Sequence, residues 1–285
     1  MRKNTVKAYA KLNLSLDVLG KREDGFHSMR MVMQSVDLTD NIEIITDTGG
    51  EICVRTNLAY LPNDGRNIAA RAADEFAKAT GVEYNGLELR IQKRIPVCAG
   101  MGGGSSDAAA VLKGLNEMYE TGLSVKELME IGLRLGADVP YCIMGGTALA
   151  EGIGEELTAL TPIPDCWFVI CKPRFSASTP LIFAKLDAQR ITQRPDTAGM
   201  LAAIECGNLV DMSRHMFNVF EPVVAGEHRE IREQQHVLIS SGALGASMSG
   251  TGPTVFGVFA DRGDAERACS ELRERERTVF ITKPV

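Results

Sequence analysis

The feature that most constrains the fold of this chain is a glycine-rich run from Pro96 to Ser106, here called the glycine segment, which leads directly into a strongly helical stretch. Glycine reaches backbone conformations that are closed to other residues, so such a run can bring bare main-chain N–H groups close to a ligand. A helix that begins at about Ser106 would aim the positive end of its dipole at the same point. The pattern predicts a phosphate-binding loop in front of a helix.

Other readings of the glycine segment are weaker. It is not a P-loop, because no Gly-Lys-Ser/Thr closes the glycines. It fits a dinucleotide-binding fingerprint poorly, because Lys93-Arg94-Ile95-Pro96 does not resemble a buried parallel strand. A plain glycine-rich turn with Ser105 or Ser106 as the N-cap of the helix stays open as the simplest alternative.

Composition restricts the class of protein. The 285 residues are enough for one large domain or two ordinary ones, and 45% hydrophobic and 24% charged residues are typical of a globular chain with a sizeable core. The net charge of -6, with Lys and Arg scattered along the chain, argues against a general nucleic-acid binder. The four histidines have no metal-ligand spacing, so a zinc site is not expected.

Cysteine usage and the apolar pattern predict a location. None of the seven cysteines belongs to a C-x-x-C pair, which favours reduced thiols. No signal peptide and no apolar run of membrane-spanning length is visible. We therefore expect a cytoplasmic protein without a membrane partner.

Apolar and polar residues alternate without a break from Val6 to Val18, which predicts a long half-buried β-strand. On its polar face, Lys11 and Asn13 should point the same way, about 7 Å apart. The remaining local signals of the first half predict strands at 41–46, 52–56 and 87–92, a helix from Asn67 to Gly81, a helix from Ser106 to Tyr119, and a capping box, Ser124 to Glu127, that opens a helix ending near Gly136.

The pattern changes near residue 160, where Pro162 and Pro164 precede an apolar strand at 166–171. We therefore predict an N-terminal domain over 1–160 and a C-terminal domain over 161–285. Strands with helices gathered on one side predict an α+β sandwich in each. The second half should contain further strands at 254–259 and 278–282 and helices near 197–206, 208–219, 227–240 and 263–276.

Three separated segments carry the chemistry of the chain. They are Ala10-Lys11-Leu12-Asn13, the glycine segment, and a second glycine-dense turn, Gly245 to Thr254, that enters an apolar strand. In this order they resemble the three signature motifs of the GHMP kinases, which include galactokinase, homoserine kinase and mevalonate kinase. The resemblance implies a two-domain α+β fold, with a ribosomal protein S5 domain 2-like, ATP-binding N-terminal domain and a ferredoxin-like, substrate-binding C-terminal domain. It also implies ATP with Mg²⁺ as the phosphoryl donor.

Four further elements narrow the resemblance. Gly25-Phe-His-Ser28, Gly136-Ala-Asp-Val-Pro140, Glu151-Gly-Ile-Gly-Glu155 and the stretch from Ser178 to Phe183 are similar to the branch of the superfamily that phosphorylates the 2-hydroxyl of a cytidine diphosphate-linked methylerythritol in the non-mevalonate isoprenoid pathway. The similarity covers essentially the whole chain. Cys98 departs from it, because a glycine or alanine is usual at that place in the loop.

The resemblance assigns roles to individual residues. Asp138 would be the base that accepts the proton of the acceptor hydroxyl, and Lys11 would offset charge on the transferring group; such base catalysis contributes about 10²–10⁴ in rate. Asn13 would hold the substrate hydroxyls. The cytosine would stack between Phe26 and Phe183 while His27 reads its edge, with Thr179 and Pro180 lining the pocket. ATP would be bound by Asn67 beside the adenine, by Lys93, and by the glycine segment, namely Pro96, Val97, Cys98, Ala99, Gly100, Met101, Gly102, Gly103, Gly104, Ser105 and Ser106.

Two alternative functions stay open at this point. One is a GHMP kinase for another small alcohol, homoserine or mevalonate, against which Phe26, His27 and Phe183 argue. The other is a non-catalytic RNA-binding module on the same β-α-β scaffold, against which the negative charge and the presence of Lys11 and Asp138 argue. The expected partner is thus a small molecule, the expected state is a monomer or weak homodimer, and no residue is assigned as a metal ligand.

Overall fold

The structure is a computed structural model that describes residues 2–285. The chain forms two compact units that interleave along the sequence: residues 2–10, 38–97 and 102–145 belong to the first, and 11–37, 98–101 and 146–285 to the second. Strands β1 (Lys3–Lys21) and β2 (His27–Thr46) contribute residues to both. The predicted domain boundary near residue 160 would divide the chain into two consecutive domains, and that boundary stays a prediction.

In the first unit, the strands follow the order β3-β4-β2-β1. Strand β3 (Ile52–Thr56) runs parallel to β4 (Leu87–Gln92), and helix α1 (Ile68–Thr80) connects them. Strand β4 pairs antiparallel with β2. The predicted limits of β3 and β4 are confirmed, whereas β2 is much longer than the predicted strand at 41–46.

Three more helices complete the first unit: α2 (Gly103–Met118), α3 (Val125–Leu133) and α4 (Val139–Met144). The predicted start of α1 at Asn67, its end at Gly81 with φ of 74°, and the capping box of α3 are confirmed. Alanines of α1 and α2 pack against Phe76 and the apolar residues of β2 and β4, such as Ile42 and Leu89. Small side chains let the two helices lie close to each other and to the sheet.

In the second unit, one group of strands has the order β6-β5-β2-β1-β8, where β5 is Thr147–Glu151, β6 is Glu156–Ala159 and β8 is Phe217–Asn218. A second, antiparallel sheet has the order β11-β7-β10-β9. Its strands are β7 (Trp167–Lys172), β9 (Gly245–Met248), β10 (Val255–Phe259) and β11 (Thr278–Thr282).

Helices α9 (Glu230–Ser240) and α10 (Arg262–Arg273) pack against the second sheet. The other helices of this unit are α5 (Thr179–Asp187), α6 (Thr197–Glu205), α7 (Leu209–Arg214) and α8 (Glu221–Glu227). The helix predicted over 208–219 is shorter, because residues 217–218 leave it to pair with β1. The α+β class is confirmed. Across residues 2–285, no helix has both the length and the apolar character needed to cross a membrane.

Strand β1 differs from its prediction in burial. A half-buried strand was expected, but both faces are buried from Ala10 to Val18, including Lys11 at 4% exposure and Asn13 at 0%. Other groups of the second unit cover the polar face: the Ser249 hydroxyl contacts Asn13, and the Arg194 guanidinium lies 2.6 Å from Asp17 Oδ1. Buried polar side chains need such partners, because desolvation without them is costly.

Candidate active site

The glycine segment adopts the conformation that its composition suggests. Backbone φ is positive at Cys98 (52°), Gly100 (71°) and Gly102 (67°). Left-handed backbone costs about 1–2 kcal/mol at a residue with a side chain, which explains why glycine is usual at such positions and why Cys98 is an exception. Because every second residue from 98 to 102 has a positive φ, the chain turns tightly before α2.

Helix α2 begins at Gly103, three residues earlier than predicted, and its N-cap is Gly102. The predicted capping by Ser105 or Ser106 is therefore wrong. Gly102 has no side chain that could accept from the N–H groups of the first turn of α2. The cap residue therefore leaves those N–H groups without a side-chain partner. An uncapped helix N-terminus preceded by a glycine turn suits a bound anion.

The two serines of α2 differ in their environment. Ser106 is 2% exposed, and its hydroxyl donates to the carbonyl oxygen of Tyr9 at 2.5 Å, which ties α2 to β1. Ser105 is only partly buried. Ser106 is therefore a structural anchor in this conformation, and of the two hydroxyls Ser105 has the more open position for the predicted contact with phosphate.

The first and second motifs are joined through main-chain contacts in the second unit. The N–H of Lys11 donates to the carbonyl of Met101 at 3.1 Å. The ammonium of Lys11 donates to Asn13 Oδ1 at 2.6 Å, so both side chains share one face of β1 as predicted. Asn13 thereby fixes the position of the lysine ammonium.

The third motif packs directly on the second. Ser249 is fully buried, and its hydroxyl donates to the carbonyl of Gly100 at 2.8 Å and accepts from the N–H of Asn13 at 3.2 Å. A side chain at Gly100 would overlap the carbonyl of Ser249. One hydroxyl therefore connects all three motifs.

Asn218 holds the third motif from the other side. Its Nδ2 donates to the carbonyls of Met248 at 2.6 Å and Gly250 at 2.7 Å, and its Oδ1 accepts from the N–H of Phe220 at 2.9 Å. The sequence reasoning missed both Asn218 and Ser249. Asn218 carries a usable signal, because it is a single amide within the apolar run from Met216 to Phe220.

Asp138 belongs to the first unit and occupies the N-cap position of α4, with Pro140 in the first turn. Its carboxylate does not cap the helix. The residue is partly buried, and the next residue in the chain, Val139, is fully buried. The base function assigned to it by the resemblance stays a prediction.

Lys93 and Asn67 have internal partners in the first unit. The ammonium of Lys93 lies 2.5 Å from Asp40 Oδ2 and 2.6 Å from Asp107 Oδ2. Asn67 Oδ1 accepts from the N–H of Ala69 at 3.0 Å, and its Nδ2 donates to the carbonyl of Pro62 at 2.8 Å. Their predicted contacts with the nucleotide stay predictions, and the carboxylates that surround Lys93 were missed.

His27 is oriented by neighbours in the second unit. Its Nε2 lies 2.7 Å from Asp187 Oδ1, and this hydrogen bond lowers the pKa of Asp187. The imidazole packs on Phe183 with 4.6 Å between ring centroids, and Phe183 in turn meets the buried ring of Phe220 edge-on at 4.8 Å. Phe26 is 59% exposed. The stacking of cytosine between Phe26 and Phe183 stays a prediction, and Asp187 was missed.

The remaining predicted pocket residues lie at the start of α5. The hydroxyl of Thr179 lies 2.9 Å from that of Thr251 in the third motif, and Pro180 occupies the first turn of the helix. Within residues 2–285 no group of three or more His, Cys, Asp or Glu side chains could hold a metal ion. A magnesium ion that arrives with the nucleotide, held mainly by phosphate oxygens and water, needs no such group.

Comparison with known proteins assigns the chain to one class. The model of the GHMP kinase N-terminal domain matches residues 67–146, and that of the GHMP kinase C-terminal domain matches residues 200–277. The chain belongs to the GHMP kinases. The resemblance inferred from the three motifs and the expected fold are thus confirmed, and the chain is a kinase.

Particular relatives narrow the comparison. The 4-diphosphocytidyl-2-C-methyl-D-erythritol kinase of Lachnoclostridium phytofermentans is 48% identical over 281 residues, which are 98% of this chain and 96% of that protein. A crystal structure of 4-(cytidine 5'-diphospho)-2C-methyl-D-erythritol kinase superimposes with a TM-score of 0.83 at 30% identity and covers 99% of both chains. Homoserine kinase from Cytophaga hutchinsonii has a TM-score of 0.78 at 19% identity, over 100% of this chain and 96% of its own, and shares the fold.

We expect Gly100→Ala to weaken nucleotide binding by about tenfold or more, because the new methyl group overlaps the carbonyl of Ser249 and the left-handed backbone disfavours alanine by about 1–2 kcal/mol. Calorimetric titration with ATP, together with thermal unfolding, measures both effects. Gly20→Ala is the matched control, because a methyl group there meets no atom within 4 Å. Wild-type affinity in Gly100→Ala would show that the segment tolerates displacement from Ser249.

Proposed function

We propose that this kinase transfers the γ-phosphoryl group of Mg²⁺-ATP to the 2-hydroxyl of 4-diphosphocytidyl-2-C-methyl-D-erythritol, a step of the non-mevalonate isoprenoid pathway, in the cytoplasm. The observation that carries the proposal is the 48% identity, over 98% of the chain, to a kinase of that name. The proposal includes a monomer or weak homodimer that acts on a small molecule and binds neither nucleic acid nor a membrane.

Binding of ATP is proposed at the glycine segment. Phosphoryl transfer depends mainly on positioning and on stabilising charge, and main-chain N–H groups supply both when they are held in place. The left-handed turn and the uncapped first turn of α2 support this role. Magnesium, when bound, neutralises the charge of the β- and γ-phosphates.

Chemistry at the acceptor is proposed to involve Lys11 and Asp138. Asp138 would take the proton of the attacking hydroxyl, and the ammonium of Lys11 would stabilise negative charge as the oxygen attacks. Support for Lys11 comes from its burial and from its 2.6 Å hydrogen bond to Asn13, which limit its movement. Support for Asp138 comes from its place at the N-terminus of α4, two residues before Pro140 in the first turn.

Recognition of the cytosine is proposed to involve His27 and Phe183, with Phe26 closing on the other side. Stacking on an aromatic ring accepts any flat base, so discrimination must come from hydrogen bonds. Because Asp187 accepts the proton of His27 Nε2, Nδ1 is left as an acceptor in the neutral imidazole. The exocyclic amino group of cytosine is a donor that such an acceptor could select.

A coupled assay of ADP release with Mg²⁺-ATP tests the proposed acceptor. The cytidine diphosphate-linked methylerythritol should be phosphorylated at least a hundredfold more efficiently than homoserine or mevalonate, because neither contains a base for His27 to read. A preference for homoserine or mevalonate would refute the substrate assignment. RNA binding without consumption of ATP would refute the kinase as a whole.

Asp138→Ala should lower kcat by about 10²–10⁴, because the variant removes the base, while the affinity for ATP stays close to wild type. Single-turnover kinetics and calorimetric titration with ATP separate the two effects. Asp165→Ala provides the control, because the Asp165 side chain is 80% exposed and pairs only with Lys283 in the described contacts. Turnover near the wild-type rate would remove Asp138 from the mechanism.

His27→Ala and Asp187→Ala should each raise KM for the cytidine substrate several-fold and leave kcat nearly unchanged, because both disturb the reading of the base and neither touches the transferred group. Loss of one hydrogen bond of this kind is worth about 1 kcal/mol, or roughly fivefold in KM. Lys21→Ala serves as the control, since it removes the more exposed partner of Asp187 and spares His27. A fall in kcat at constant KM would contradict the assignment.

A further inference from the structure

Three charged side chains of the first unit form a buried cluster that no catalytic step described above uses. Lys93 is 7% exposed, Asp40 is 0% exposed and Asp107 is 4% exposed. The single ammonium lies between the two carboxylates, at 2.5 Å from Asp40 Oδ2 and 2.6 Å from Asp107 Oδ2. The cluster is built from three separate parts of the chain: β2, the residue after β4, and α2.

Asp40 fixes the chain as it enters the glycine segment. Its second oxygen, Oδ1, accepts the main-chain N–H of Arg94 and, at 2.8 Å, that of Ile95. Asn57 holds the preceding residue, because it accepts from the N–H of Lys93 at 2.7 Å and donates to the carbonyl of Lys93 at 3.1 Å. The three residues that follow β4, Lys93 to Ile95, are thus held by hydrogen bonds to their main-chain groups.

Lys93 fixes the chain where it leaves the glycine segment. Besides its bond to Asp107 in the second turn of α2, its ammonium lies 3.4 Å from the carbonyl of Gly103, the first residue of that helix. A methyl group on Gly103 would lie 3.0 Å from Ile95 Cγ2. The entry and the exit of the segment are therefore packed together and joined through one ammonium group.

Stability alone does not explain such a cluster. Apolar replacements of buried ion pairs are often neutral or stabilising, whereas removal of one partner is costly. Two carboxylates share one ammonium here, so the cluster keeps an excess negative charge when both are ionised. Burial raises the pKa of Asp107 to about 7, a rise that Lys93 opposes and Asp40 increases. Burial disfavours the charged form of Lys93, but the neighbouring carboxylates of Asp107 and Asp40 keep the pKa of Lys93 above its usual value.

We propose that Lys93, Asp40 and Asp107 form a positioning cluster that sets the distance between the two ends of the glycine segment, and that Lys93 serves the nucleotide through this cluster rather than by contact. The proposal rests on the nucleotide site proposed above and deepens it. The ammonium of Lys93 has a protein acceptor for each of its three N–H groups, namely Asp40, Asp107 and, at 3.4 Å, the carbonyl of Gly103. Displacement by about 1 Å can cost a site 10²-fold in rate, so two fixed ends are useful to a loop of bare amides.

A double-mutant cycle distinguishes positioning from contact. Lys93→Met, Asp107→Asn and the double variant are titrated with the magnesium complex of a non-hydrolysable ATP analogue, without acceptor substrate. If the cluster acts by positioning, each single variant should bind the analogue about tenfold more weakly, which is the loss expected for one hydrogen bond to a charged group. The double variant should then bind the analogue no more weakly than whichever single variant has the lower affinity. Lys78→Met with Glu75→Gln is the matched control, because it removes an exposed ion pair of α1 in the same unit.

Direct contact predicts a different result. Asp107→Asn would then release Lys93 toward the anionic nucleotide, and binding would stay at the wild-type value or tighten; this outcome overturns the proposal. Amide hydrogen exchange in the free protein gives the second readout, with faster exchange expected at residues 94–104 and unchanged exchange in α10. Uniformly faster exchange would also overturn it, since that indicates a purely structural role.

Folding failure does not remove the test. If Lys93→Met does not fold, Asp40→Asn and Asp107→Asn keep the shape of the side chains and yield both measurements. Because no acceptor takes part, a wrong substrate assignment leaves the expected results intact. Failure of the proposed ATP binding itself would be recognised separately, since the wild-type protein would then not bind the analogue.

Discussion

The hydrogen bonds to the main chain of the glycine segment are the interactions on which the rest of the site depends. Bare amides can approach a phosphate closely, but a run of glycines has a high conformational entropy and no side chains to hold it. In the second unit Ser249 binds the carbonyl of Gly100 and the N–H of Lys11 binds that of Met101. In the first unit Asp40 binds the amides of Arg94 and Ile95.

The same constraint explains why so many polar side chains are buried. Lys11, Asn13, Ser249 and Asn218 are each 4% exposed or less, although an apolar core would be cheaper to desolvate. Lys11 bonds to Asn13 within the first motif, Ser249 accepts from the main chain of Asn13, and Asn218 donates to the main chain of the third motif. Buried polar networks restrict a site to one arrangement when they are satisfied, and that restriction suits a reaction in which positioning contributes most of the rate.

Part of the site could be read from local sequence. The alternation in β1 indicated that Lys11 and Asn13 share a face, and their 2.6 Å hydrogen bond agrees with it. The glycine segment indicated an anion-binding turn, although the helix begins at Gly103 because the left-handed Gly102 already starts the turn. Ser106 was misread as a cap, since a serine near a helix start also suits a bond to a distant carbonyl, here that of Tyr9. The short strand β8 was missed because a two-residue strand has no period of its own.

By itself the sequence determined the local elements and the class of the protein. Strands such as β4 and helices such as α1 follow from periodicity and caps, and the three motifs identify the GHMP kinases because each is a short, contiguous pattern. Only the tertiary structure decided which polar groups hold those motifs. Ser249 is 236 residues from Asn13, and Lys93 is 53 residues from Asp40. Their pairing depends on how the sheets and helices pack, and a packing contact between distant residues leaves no periodic trace in the chain.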